Sequence, residues 1–188
     1  MFCYAAMTIP TLATARLLLR PFADADAPAY AAIRLHEKVA DWLPRPPPGE
    51  TPLMTAERTV RHFQDTWRDH GVGPWAVCER ESGRLLGHCG LRWLEDFKAV
   101  EALWTIDPAC WGRGYAGEAA AESLRFGFEE ATLERIFAIT MPTNAASRRV
   151  MERLGMGFRR ETEWNGFAIV YYDIDRAQWR EKWQSSRN

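Results

Sequence analysis

The chain has 188 residues, 47% apolar and 26% charged, the balance of a water-soluble globular protein long enough to bury a sizeable core. Its formal net charge of −1 excludes a nucleic-acid protein that works by bulk charge, and no apolar run approaches the length of a membrane-spanning helix. Cys3, Cys78, Cys89 and Cys110 are scattered without metal-ligand spacing, so they read as reduced, packed thiols of a cytoplasmic protein with no metal.

Met1 to Pro10 lacks a basic segment and does not read as a signal peptide. We expect residues 1–10 to be a poorly ordered extension of one domain covering 1–188, with Met1 or Met7 as the start. Ala15 to Phe22 reads as a first strand. Asp24 or Asp26 then caps a helix through Tyr30, Ile33 and Arg34. Pro44 to Pro52 holds five prolines in nine residues and is a loop. Thr51 or Thr55 opens a helix with Val60, Phe63, Gln64 and Trp67 at helical spacing, ending near Gly71. Pro74 to Glu79 and Arg84 to Leu94 flank a turn at Glu81-Ser82-Gly83, and Ala99 to Ile106 adds a third strand, giving an antiparallel meander.

The segment from Trp111 to Glu118 carries the clearest chemical signal. Gly112, Gly114 and Gly117 thin out the side chains between a strand and the helix Tyr115 to Glu130. A helix start leaves unpaired N–H groups and a positive dipole end, which together accept an anion. Arg113 adds a fixed charge. The alternative is a plain connector. The segment is not a P-loop, since no Gly-Lys-Ser/Thr follows, and the βαβ context of a dinucleotide turn is missing. Arg135 to Met141 then reads as a strand and Asn144 to Leu154 as a helix closed by Gly155. Gly157 to Glu163 and Phe167 to Asp173 read as a hairpin turning at Asn165-Gly166, and Asp175 to Trp183 as a tail helix. The sum is an α/β (α+β) fold with a mixed, mostly antiparallel sheet of about seven strands flanked by helices.

Four pieces in register carry a family resemblance. They are Ala15 to Pro21, Gly87-His88-Cys89-Gly90-Leu91, Trp111 to Ala119, and Asn144 to Gly155. The chain resembles the GNAT superfamily of acetyl-CoA-dependent N-acetyltransferases, and within it the branch of ribosomal-protein (serine and alanine) N-terminal acetyltransferases. Trp111 stands where the superfamily turn usually has Gln or Arg, so main-chain N–H groups of Gly112 to Gly117 must hold most of the pyrophosphate.

The resemblance implies direct acetyl transfer from acetyl-CoA to a primary amine, on a protein N-terminus or a small molecule. It assigns cofactor contacts to the main chain of Trp104, Thr105 and Ile106, to the turn Gly112, Arg113, Gly114, Tyr115, Ala116 and Gly117, and to Asn144; Arg148 or Arg149 is expected to reach a coenzyme phosphate, with solvated surface charge as the reading for the other. It also implies that Ser147 assists the departing thiolate. Asn144 is equally explained as an N-cap. Glu101 and Glu163 are the candidate bases, because a carboxylate in a partly apolar cleft titrates in a useful range. His88 reads as a satisfied core residue, Tyr115 as packing, and neither Cys89 nor Cys110 has an activating partner. Trp42, Pro44 to Pro48 and Trp67 are expected to shape the acceptor pocket. A non-catalytic acyl-CoA sensor and an acyltransferase for longer chains are the alternatives, and monomer or homodimer stays open.

Overall fold

The computed structural model describes residues 8–185, so Cys3, both candidate start methionines and most of the expected extension lie outside the described residues. The elements are β1 (Leu12–Ala13), β2 (Leu17–Arg20), α1 (Ala27–Leu35), α2 (Glu37–Ala40), α3 (Pro52–His70), β3 (Pro74–Glu79), β4 (Leu85–Leu94) and β5 (Ala99–Ile106). They continue as α4 (Tyr115–Glu129), β6 (Arg135–Thr140), α5 (Ala145–Leu154), β7 (Gly157–Trp164), β8 (Phe167–Asp175) and α6 (Arg176–Ser185). The strands form one sheet in the order β1-β2-β3-β4-β5-β6-β8-β7, with β5 and β6 parallel and every other pair antiparallel.

The sheet has eight strands rather than about seven because a short strand precedes the expected first one, which itself spans Leu17–Arg20. The Thr14 N–H bonds to the Leu17 carbonyl at 2.9 Å, folding Thr14 to Arg16 into a turn and leaving Leu12–Ala13 as a short edge strand. Thr51, not Thr55, caps α3: its hydroxyl accepts the Met54 N–H at 3.2 Å, with Pro52 at the first helical position. Asp26 precedes α1 but caps nothing there, since its carboxylate takes two 2.7 Å bonds from Arg20 instead. Asn165 (φ 51°) and Gly166 (φ 78°) make the expected tight turn of the last hairpin. The short helix α2 was not foreseen.

Side-chain alternation divides the core between the two sheet faces. Leu17, Leu19, Trp75, Val77, Leu86, Cys89, Leu91, Val100, Ala102 and Ile136 pack under α4, where Ala120, Leu124 and Phe128 form the expected buried stripe. On the opposite face Ala76, Cys78 and Leu85 meet Tyr30 and Ile33 of α1 and Val60 and Phe63 of α3. Trp67 is 2% exposed and donates its indole N–H to the Pro74 carbonyl at 3.1 Å, so it belongs to this interior and does not line an acceptor pocket. Trp42 is 42% exposed. Cys78, Cys89 and Cys110 are free and buried. Among the described residues no helix is long and apolar enough to cross a membrane.

Candidate active site

The two parallel strands touch only at their beginnings. β5 pairs with β6 at Val100↔Ile136 and Glu101↔Phe137, and the pairing stops there although β5 runs on to Ile106. One edge of β5 is therefore left without a partner strand. The Asp107 N–H donates to Leu86 of the β4 side at 2.7 Å, and main-chain groups alternate between the two edges. Residues 101, 103 and 105 thus point their main-chain groups at β4; residues 100 and 102 flank the last rung to β6, and residues 104 and 106 point theirs into the gap. Of the three residues expected to meet the cofactor, Trp104 and Ile106 present main-chain groups to the gap, whereas Thr105 spends its own on β4. The Ile106 carbonyl is taken by the Trp111 indole at 2.7 Å, which leaves the Ile106 N–H as that residue's available group.

Parallel pairing brings the segments after β5 and after β6 to the same end of the sheet, where α4 and α5 both begin. Gly112 (φ 76°) and Gly114 (φ 80°) take left-handed conformations that side chains resist, and Gly114 is the N-cap of α4. The first main-chain bond of the helix runs from the Glu118 N–H to the Gly114 carbonyl, so the N–H groups of Tyr115, Ala116 and Gly117 have no partner within the helix. A Cβ added at Gly112 or Gly117 would meet no heavy atom within 4 Å, so this face of the turn is open. Tyr115 is 8% exposed and serves packing, with its main chain in the turn. The Arg113 side chain is exposed.

At the start of α5, Asn144 is an N-cap: its Oδ1 accepts the Ser147 N–H at 3.1 Å. The Ser147 hydroxyl makes no hydrogen bond among the described residues. Arg148 is engaged within the fold, donating from Nε to the Tyr172 hydroxyl at 3.3 Å and from Nη1 to the Pro142 carbonyl at 3.2 Å. It therefore braces the loop into α5.

Residues 16–157 match the family described as the Acetyltransferase (GNAT) domain. The chain is a GNAT acetyltransferase. It is 28% identical over 176 residues to the uncharacterized N-acetyltransferase YnaD of Bacillus subtilis (strain 168), a match covering 89% of this chain and 98% of YnaD. The crystal structure of the acetyltransferase from Agrobacterium tumefaciens str. C58 superposes with a TM-score of 0.77 at 29% identity, covering 89% of this chain and 95% of that one. Mycobacterium smegmatis RimJ in complex with CoA-disulfide shares the fold, with a TM-score of 0.72 at 19% identity over 91% of this chain and 90% of its own.

On the acetyltransferase's α1/α3 face, Glu101 is 3% exposed and accepts a 2.6 Å hydrogen bond from Arg92 Nε, its neighbour across the β4–β5 pair. Burial pushes the Glu101 carboxyl above the usual carboxylate range, and Arg92 pulls it only part of the way back. Phe137, the rung opposite Glu101 on β6, stacks on Tyr171 at 5.0 Å, and Phe97 closes over both. His62 on α3 stands near Arg92; its pKa is lowered first by burial and then by that guanidinium.

His88 is a satisfied core residue, as expected. Its Nδ1 meets the Tyr30 hydroxyl at 2.8 Å, and burial lowers its pKa to about 3, so it is neutral near pH 7. Burial raises the Cys89 thiol to about 12, which removes it as a nucleophile. Glu163 lies exposed on β7, with no hydrogen bond or ion pair among the described residues. The two candidate carboxylates are thus in contrasting surroundings, and only Glu101 is enclosed.

Sequence reasoning missed Arg92. The hairpin register that sets it against Glu101 was the available signal, but the irregular turn at Glu95 to Lys98 hides that register.

Proposed function

We propose that this GNAT protein is an acetyl-CoA-dependent N-acetyltransferase that moves the acetyl group directly to a primary amine in the cytoplasm. The observation that carries the reading is the unpaired β5 edge beyond Glu101, opening at the same end of the sheet as the glycine turn and the start of α5. The donor set suits a coenzyme A thioester. An extended amide arm adds to a free strand edge as a further strand. A diphosphate suits the unpaired N–H groups of a helix start flanked by glycines. The shared fold of Mycobacterium smegmatis RimJ, solved with CoA-disulfide, supports the same ligand class.

When bound, acetyl-CoA supplies an acetyl group activated as a thioester. The chain's own residues do the remaining work. Main-chain groups of Trp104 and Ile106 hold the arm and offer an N–H toward the acyl oxygen. The N–H groups of Gly112 to Gly117 hold the phosphates. Glu101 accepts the proton of the acceptor ammonium, directly or through water, because only the neutral amine attacks. The Ser147 hydroxyl hydrogen-bonds the departing sulfur, which leaves as the thiolate and takes its proton from water as the new amide nitrogen releases one. Phe97, Phe137 and Tyr171 exclude water beside Glu101. The acceptor is a small-molecule or peptide amine.

Thermal unfolding with acetyl-CoA, coenzyme A, ATP and NAD tests the donor. At about a hundredfold the dissociation constant a ligand adds about 2.7 kcal/mol, roughly 5–10 °C for a chain of this size. A shift with acetyl-CoA and coenzyme A alone, followed by turnover on an amine panel, supports the enzyme. Binding with no turnover across the panel indicates a sensor, and no shift with either ligand rejects the reading.

A further inference from the structure

The glycine turn is tied from outside by a residue 97 positions away in sequence. Arg16 Nη1 donates to the Arg113 carbonyl at 2.9 Å. Its Nε and Nη2 both reach Glu118 Oε2, at 2.7 and 2.6 Å, and its main-chain N–H reaches Oε1 at 3.0 Å. Its guanidinium also lies 4.6 Å from the Tyr115 ring centre. Thr14 completes the set, its hydroxyl donating to Glu118 Oε1 at 2.5 Å. Arg16 is itself fixed, since the Arg80 N–H donates to its carbonyl at 3.0 Å and Arg80 Nη1 to the Thr14 carbonyl at 2.7 Å. One side chain therefore touches the turn, its first helical residue and the helix's first acidic group.

Two physical consequences follow. In a trans peptide the carbonyl and the next N–H point in opposite directions, and the described residues contain no cis peptide bond. Holding the Arg113 carbonyl therefore fixes the direction of the Gly114 N–H, at a left-handed glycine that would otherwise be free to flip. The second consequence concerns charge. Glu118 places a carboxylate in the first turn of α4, beside the N–H groups that would face an anion. Burial works to raise its pKa, but hydrogen bonds from Thr14 and Arg16 overcome this and hold it below the ordinary range, so it is ionised. A bare carboxylate there would repel a phosphate, and the Arg16 guanidinium neutralises it.

Resting on the coenzyme A reading, we propose that Arg16 is a positioning residue for the donor's pyrophosphate: it aims the Gly114 N–H and cancels the Glu118 charge beside the anion site. Calorimetric titration with coenzyme A tests this on the full chain, with unfolding temperatures measured in parallel. Arg16→Ala weakens coenzyme A by about tenfold or more, as for loss of charge-assisted hydrogen bonds. The double variant Arg16→Ala/Glu118→Gln recovers part of that loss, because the uncompensated carboxylate is gone. A purely structural role predicts a double variant no better than the single one.

Arg16→Lys keeps the charge without the planar fork and falls between wild type and alanine; it also serves if Arg16→Ala does not fold. Unchanged affinity in a folded Arg16→Ala, or a double variant as weak as the single, overturns the proposal. Wild-type protein that ignores coenzyme A overturns the acetyltransferase reading, and this inference with it.

Discussion

Glu101 and Arg92 form a tuned pair, and each makes a separable prediction. Glu101→Gln keeps the shape and removes the base; transfer falls by about 10²–10⁴, the usual contribution of a positioned base, while coenzyme A affinity is kept. Steady-state rates beside calorimetry check both halves. In the proposed role Glu101 works ionised, so its titration adds a limb that rises with pH above the usual carboxylate range. Arg92 favours the ionised form, so Arg92→Gln moves that limb to higher pH; a limb that stays in place removes Glu101 from the proton path. Alternation along β5 made Glu101 a candidate in the sequence beside Glu163, without choosing between them. The burial of Glu101 was not legible: the rung that sets Phe137 beside it joins two strands distant in sequence, and Phe97 and Tyr171, which pack on Phe137, come from two further segments. Glu163 offered the same letters of sequence, but an exposed edge strand gives it no desolvation.

Among the elements, β5 serves three neighbours at once. Its odd main-chain groups hold β4, its first even ones hold β6 and its last even ones face the gap, and Glu101 and Val100 carry opposite faces of the sheet. The glycine turn that follows it yields a contrast between two substitutions. Gly114→Ala forces φ 80° on a residue with a Cβ, at a cost of about 1–2 kcal/mol, or reorients the turn and weakens coenzyme A. Gly117 lies inside α4 with open space around it, so Gly117→Ala stabilises by about 0.5–1 kcal/mol. Unfolding temperatures of the two variants should therefore move in opposite directions. The turn, the Thr51 cap and the Asn165-Gly166 hairpin were legible because each is a local backbone demand met by a local residue type. β1 was not, since two residues carry no period, and the Arg20 pairing that takes Asp26 from its cap is a tertiary choice.

For the whole molecule, the neutral His88 beneath α1 and α3 sets an acid limit on stability. Its folded pKa of about 3 lies below the ordinary 6.5, so the unfolded chain binds the extra proton between those values. Its contribution is fully present above pH 6.5 and is lost on acidification toward pH 3, with a slope of up to about 1.4 kcal/mol per pH unit. His88→Asn keeps a polar group near Tyr30 and removes that slope, which unfolding measured from pH 7 to 4 would reveal. The β3-β4-β5 meander and the β7-β8 hairpin followed from short turns between alternating strands, whereas the parting of β5 from β6 has no signature in either strand alone. That parting also acts as a gauge of length. From the last rung at Glu101 to the rim at Ile106, five residues of rise make a wedge roughly 17 Å deep. Its floor is a hydrogen-bonded rung, so the wedge shortens or deepens in steps of about 3.3 Å, one for each rung the two strands close or open.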